Sequence, residues 1–228
     1  MKKLDKKYLY GENISYSSSI ADLMAGMLII FILLFVFVTI SSNKEIKKKE
    51  EVIAGFTNTK SRIIDKVISV FKENKIAIDI DNTTGSIKID EKLLFGNNDY
   101  KLKKEGKEYL EKFIPIYVKL LILDEEIRND ISQVIIEGHT DDVGSYIFNM
   151  ELSQKRAFEV LKYIYTDMEN FEGKKEFEKY VTANGRSKVN LVYDKEGRID
   201  RDKSRRVEIK FKLKEEETLQ KIKELLEE

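Results

Sequence analysis

The chain has 228 residues, enough for one core of ordinary size plus appendages, and its 41 basic and 41 acidic residues leave a formal charge of zero. That balance disfavours a nucleic-acid partner, whose binders show a basic excess. Zero Cys excludes a disulfide framework, a thiolate nucleophile and a Cys-type zinc site, and a single His and a single Pro narrow the chemistry further.

Residues 1–14 form a short polar tail, and 15–42 read as a transmembrane helix. After Asp22 come 18 uncharged residues through Ile40, which at about 1.5 Å per residue span about 27 Å, close to a bilayer core. The exit, Thr39-Ile-Ser-Ser-Asn43, has no Ala-x-Ala cleavage pattern, so the segment reads as an uncleaved anchor. Four Lys precede the span (Lys2, Lys3, Lys6, Lys7) and four follow it (Lys44, Lys47, Lys48, Lys49), so the basic-residue rule does not set the orientation. An ionisable group at the start of an apolar span either marks an ion pathway or reaches interfacial water, and Asp22 is open to both readings.

Residues 43–75 follow as a charge-rich linker. Ile46, Ile53, Phe56, Ile63, Ile64, Val67 and Phe71 recur at helical spacings, with Gly55 and Thr57-Asn-Thr59 as expected interruptions, so a stalk with helical parts is predicted. From residue 76 the pattern changes. Ile76-Ala-Ile-Asp-Ile80 and Ile87-Lys-Ile89 alternate around Asp81-Asn-Thr-Thr-Gly-Ser86, a β-hairpin signal. A helix follows from about Lys101 with Tyr109, Phe113, Ile116, Leu120 and Leu123 on one face, and Pro115 within it predicts a kink or break. Val134-Ile-Ile-Glu137 reads as a buried strand, Leu152 to Tyr165 as a helix, and Val207 to Leu213 as a closing strand. Strands interleaved with helices over 76–213 imply an α/β domain with a mixed sheet and covering helices. Residues 214–228 read as an amphipathic helix with Leu219, Ile222 and Leu226 on one face.

The chemistry concentrates between Gly138 and Arg156. Gly138 and Gly144 bracket a strand-to-loop turn, and Arg156 lies on the helix that follows, so Asp141, Asp142 and Arg156 gather near a strand end. A carboxylate and a guanidinium together suit a zwitterionic ligand, because Arg grips a carboxylate and Asp accepts from an ammonium. An internal Asp–Arg salt bridge accounts for the same spacing equally well. His139 is the single imidazole; with no second His and no Cys it reads as a structural residue rather than a metal ligand, and neither a Gly-x-Ser-x-Gly elbow nor a nucleotide loop is present. No enzymatic motif, cofactor site or metal site is therefore expected.

The run Gly-His-Thr-Asp-x-x-Gly at 138–144, then Asn149, then Leu152-Ser-x-x-Arg-Ala157 resembles the signature of the OmpA-like peptidoglycan-binding domain, supported by Leu93-Leu-Phe95 and Arg205-Arg-Val-Glu-Ile209. The resemblance covers 76–213. It implies that Asp141 and Arg156 hold the amino and carboxylate ends of diaminopimelate in the stem peptide, with Thr140, Asn149 and Arg205 supporting loop and ligand. Ser204 stands where that family has Asn, and Thr182-Ala-Asn-Gly185 replaces its Gly-Tyr-Gly turn; these departures bear on binding strength rather than on fold.

Ile20-Ala-Asp-Leu-Met-Ala-Gly-Met27 in turn resembles the Ala-Asp-Leu/Phe-Met segment of MotB-type stator subunits, including the ZorB subunits of Zorya anti-phage systems. That resemblance implies an ion-driven motor subunit of the cytoplasmic membrane, N-terminus inside and wall-binding domain outside. Two copies would sit within a ring of five MotA/ZorA-like multi-helix subunits, with Asp22 carrying H⁺ or Na⁺. A flagellar stator subunit and a non-conducting tether to peptidoglycan are the alternatives.

Overall fold

The computed structural model describes residues 7–96 and 99–214. The chain divides into two units, Met1–Gly55 and Phe56–Glu228. The amphipathic helix expected over 214–228 lies, from residue 215, outside the described residues, as does the tail before Lys7.

One helix, α1 (Lys7–Glu73), contributes to both units. In the first unit its stretch Ile20–Lys47 is long and apolar enough to cross a membrane, and none of its apolar window is buried against protein. Leu23 is 65% exposed and Phe37 is 70% exposed. Among the described residues nothing covers this helix, and its length and all-round apolar surface suit a membrane span.

Gly55 and Thr57–Thr59, expected to interrupt the linker, lie within α1. In the second unit the face carrying Ile63, Ile64, Val67 and Phe71 is fully buried, and the Phe71 ring lies 5.0 Å from that of Phe113. The linker is helical as expected, but from Ile63 onward it packs into the core instead of standing free as a stalk, each such side chain contributing about 2 kcal/mol when buried. Its periodicity was visible in the sequence; its partner was not.

The second unit is built on a five-stranded mixed sheet of order β1-β2-β5-β3-β4. β1 (Asp79–Ile80) and β2 (Ile87–Asp90) form the expected antiparallel hairpin. β3 (Ile131–His139) and β5 (Arg206–Leu213) are antiparallel neighbours, and β5 also pairs with β2. β4 (Val181–Gly185) runs parallel to β3. Thr182–Gly185 is thus an edge strand and not the turn its Asn and Gly suggest; pairing with β3 overrides a composition that favours turns.

Between the strands, α2 (Glu91–Leu94) starts on the side-chain cap of Asp90, and α3 (Lys104–Val118) passes through Pro115 without a break before a π-helical turn, Lys119–Leu123. That turn buries Leu120, Leu121 and Ile122, so the widening that begins four residues after the proline keeps the apolar face on the core. Next come α4 (Glu125–Arg128), α5 (Tyr146–Thr166), α6 (Lys174–Phe177) and α7 (Arg201–Ser204). α5 begins six residues before Leu152, capped by Ser145, whose Oγ accepts the Phe148 N–H at 3.2 Å. Its first turn escapes the apolar periodicity because Tyr146, Ile147 and Phe148 are exposed.

α5 packs across β3 and β4. The approach is so close that a Cβ on Gly138 would lie 2.1 Å from the Ser153 carbonyl oxygen. Only glycine fits there. The loop after β3 is thereby held over the N-terminal half of α5, which places Asp141 and Arg156 in one region.

Candidate functional site

Four chain segments meet at the C-terminal end of β3: the loop Thr140–Ser145, α5, the start of α2 and the α7–β5 junction. They enclose a cleft of about 290 Å³ lined by Glu91, Thr140, Asp141, Asn149, Arg156 and Arg205, among others. All five residues expected from the sequence for this site are therefore on its wall. Glu91 is the addition.

Their pairing differs from either sequence expectation. Asp141 is not bonded to Arg156: its Oδ2 accepts from Arg205 Nη1 at 2.6 Å, and its Oδ1 accepts the Val143 N–H at 3.0 Å. Arg156 is 2% exposed and donates from Nη1 to Glu91 Oε2 at 2.6 Å and from Nε to the Asp99 carbonyl at 3.0 Å. Arg205 also donates to Asp202, and its Nε lies 3.9 Å from Glu91 Oε2. Two acids and two guanidiniums thus form an alternating charge chain along the cleft: Asp141, Arg205, Glu91, Arg156. Burial raises the Glu91 carboxyl above its ordinary value despite Arg156 and Arg205, and burial lowers the Arg156 guanidinium.

The remaining expected residues hold the loop. Thr140 donates its N–H to the Ser187 carbonyl at 3.0 Å, and Asn149 Nδ2 donates to the Val143 carbonyl at 2.8 Å. Asp142 is taken out of the cleft by Arg201, which donates to both of its oxygens at 2.8 and 3.1 Å. Ser204, the departure from the family pattern, is fully buried; its Oγ donates to the Asp200 carbonyl at 2.7 Å and accepts the Val192 N–H at 3.0 Å. It fixes the segment that presents Arg205. Val143, Tyr146, Ile147 and Phe148 form an exposed apolar rim, of which Val143 and Phe148 line the cleft itself.

His139 is buried beside a different pair of acids from those adjacent in sequence. Its Nε2 lies 3.6 Å from Glu137 Oε2 and 3.9 Å from Glu208 Oε1 without a hydrogen-bond partner among the described residues, and its Nδ1 lies 3.4 Å from the Val189 carbonyl. Glu137 and Glu208 are direct cross-strand partners, a repulsive pairing unless neutralised. Lys210 bonds Glu137 at 2.6 Å and Arg206 bonds Glu208 at 2.6 Å, so cationic side chains already answer both carboxylates.

Burial alone would raise the Glu137 carboxyl, but the nearby His139 ring, the bond from Lys210 and the charges of Lys210 and Arg186 outweigh it and hold it at about 2, against an ordinary 4.5. A depressed folded-state value stabilises above the unfolded value and is lost as pH falls through the folded one. The wild-type domain should therefore lose about 3 kcal/mol between about pH 5 and pH 2 from this group alone. Urea midpoints across that range should fall less steeply for Glu137→Gln; equal slopes would remove Glu137 from the acid response.

In the first unit, Asp22 lies on α1 at the start of the apolar stretch and is exposed, with Ala25 and Gly26 following on the same helix face.

No family model matches the chain. It is 32% identical over 216 residues to the Zorya protein ZorB of Escherichia coli strain Crooks, an alignment covering 90% of each chain. The Zorya protein ZorB of Escherichia coli O139:H28 is 28% identical over 139 residues, 61% of this chain and 56% of that protein. Among solved structures, a MotB-like protein from Desulfovibrio vulgaris matches with a TM-score of 0.50 at 19% identity, over 70% of this chain and 94% of that one. The last likeness supports the fold.

Proposed function

The chain belongs to the ZorB family, and from that premise we propose that it is the peptidoglycan-anchored, ion-conducting subunit of a MotA/MotB-like motor in a Zorya-type anti-phage system. The observation that carries this reading is the cleft at the end of β3. It presents Asp141 and Arg156 to one space of about 290 Å³, an acid for an ammonium and a guanidinium for a carboxylate. The zwitterionic end of diaminopimelate has both groups.

On this reading the helix 15–42 crosses the cytoplasmic membrane with its N-terminus inside, and the second unit binds the wall on the far side. Two copies sit within a ring of five multi-helix ZorA-like subunits. Asp22 takes up H⁺ or Na⁺ from one side and releases it to the other, while the wall holds the domain fixed so that the ring moves against it. The chain is no enzyme in this scheme; it supplies a carrier and an anchor.

The detergent-solubilised full chain should sediment with sacculi of diaminopimelate type and be released by excess free meso-diaminopimelate. Sacculi with Lys in place of diaminopimelate, which lack the second carboxylate, should retain much less of it. A chain that stays in the supernatant with both wall types would rule out the anchoring role.

A further inference from the structure

We propose that Glu91 sets the charge specificity of the cleft: it occupies Arg156 in the free protein and so obliges an incoming carboxylate to bring an ammonium with it. This rests on the wall-binding reading above and goes beyond the Asp141 and Arg156 pair on which that reading stands.

The walls of the cleft hold two acids, Glu91 and Asp141, and two guanidiniums, Arg156 and Arg205. Glu91 Oε2 lies 2.6 Å from Arg156 and 3.9 Å from Arg205, and Asp141 Oδ2 lies 2.6 Å from Arg205. The four charges cancel. Glu91 is 5% exposed, so solvent screens its charge little. A bare carboxylate that approaches Arg156 leaves the cleft with an excess negative charge beside Glu91. A bare ammonium at Asp141 leaves the opposite excess beside Arg205. A zwitterion enters without changing the sum, its carboxylate sharing Arg156 and its ammonium placed among the two acids. Discrimination thus comes from a repulsive element built into the empty site as much as from attraction.

Arg156 has the donors for such sharing. Its Nε is bonded to the Asp99 carbonyl and one Nη1 hydrogen to Glu91. Of its five N–H groups, the second on Nη1 and both on Nη2 make no other hydrogen bond among the described residues. Arg156 is 2% exposed and lines the same cleft as Glu91, so a ligand carboxylate that reaches the guanidinium from the cleft meets Glu91 there as well. The acid is therefore a specificity-determining neighbour of the ligand.

The test is calorimetric titration of the full chain in detergent with two probes: meso-diaminopimelate, and pimelate, which has the same carbon chain and carboxylates but no amines. The wild type should bind meso-diaminopimelate at least about tenfold more tightly than pimelate, the factor of one charge-assisted contact. Glu91→Gln keeps an acceptor for Arg156 but removes the charge, and should narrow that gap to about threefold or less, chiefly by binding pimelate better. A gap unchanged in Glu91→Gln overturns the proposal while leaving the wall reading standing. A wild type that binds neither probe overturns both. Should Glu91→Gln not fold, the wild type still decides: if diaminopimelate acetylated on both amines binds as tightly as the free compound, Glu91 does not exclude bare carboxylates.

Discussion

Replacing Asp22 with Asn is expected to abolish cation flux and every output of the assembled motor while leaving membrane insertion, assembly with the multi-helix partner and wall binding at wild-type levels. Asn has the size of Asp, and no other charged residue occurs between position 22 and Lys44. What the substitution removes is a group that can take up and release a proton or balance a sodium ion. One charge crossing about 100 mV releases roughly 2.3 kcal/mol. If Asp22 is the carrier, its loss removes the whole energy input rather than a fraction. Flux measured in vesicles containing the chain and its cognate partner, with the external ion exchanged between runs, gives both the answer and the identity of the ion. Undiminished flux in the Asn variant would reject the conducting role and leave a passive tether.

The parts legible in the sequence were those whose signal is local. The apolar span, the hairpin around Asp81–Ser86, the buried β3 and the alternating β5 each carry their own periodicity, and the Gly138–Ala157 run locates the loop and helix of the site. What escaped depended on partners distant in the chain. The face Ile63, Ile64, Val67 and Phe71 was read as amphipathic, yet nothing near it in sequence says that Phe113 covers it. β4 is a strand because β3 pairs with it, not because Val181–Gly185 has strand composition.

Glu91 was missed for the same reason. It stands two residues before the recognisable Leu93-Leu-Phe95, but its partner Arg156 lies 65 residues away. A charged residue at the exit of a hairpin looks like a solvated one; only the fold shows it to be buried. The expected salt bridge between Arg156 and a loop aspartate does not form. Asp141 and Arg156 are each in an ion pair, but with Arg205 and Glu91 rather than with each other. Spacing alone could place the two residues near one strand end. It could not distribute four charges among them.

That distribution changes what the two central substitutions should do. Asp141→Asn keeps the acceptor for the Val143 N–H and leaves Arg205 with Asp202 and Glu91, so the domain should fold normally. Sacculus binding should fall by at least about tenfold, since an ammonium loses its charged acceptor, worth about 1.5–3 kcal/mol. Arg156→Ala should lose binding and stability together: it leaves the buried Glu91 carboxylate without its 2.6 Å partner, and breaking such a pair costs about 3–5 kcal/mol. The loss of binding in that variant is therefore ambiguous by itself. Adding Glu91→Gln removes the orphaned charge, so the double variant should recover most of the stability while still failing to bind, a coupling that denaturant melts and pull-downs read separately. If the double variant regains sacculus binding, the guanidinium serves the fold alone, and the wall contact must be sought elsewhere on the domain.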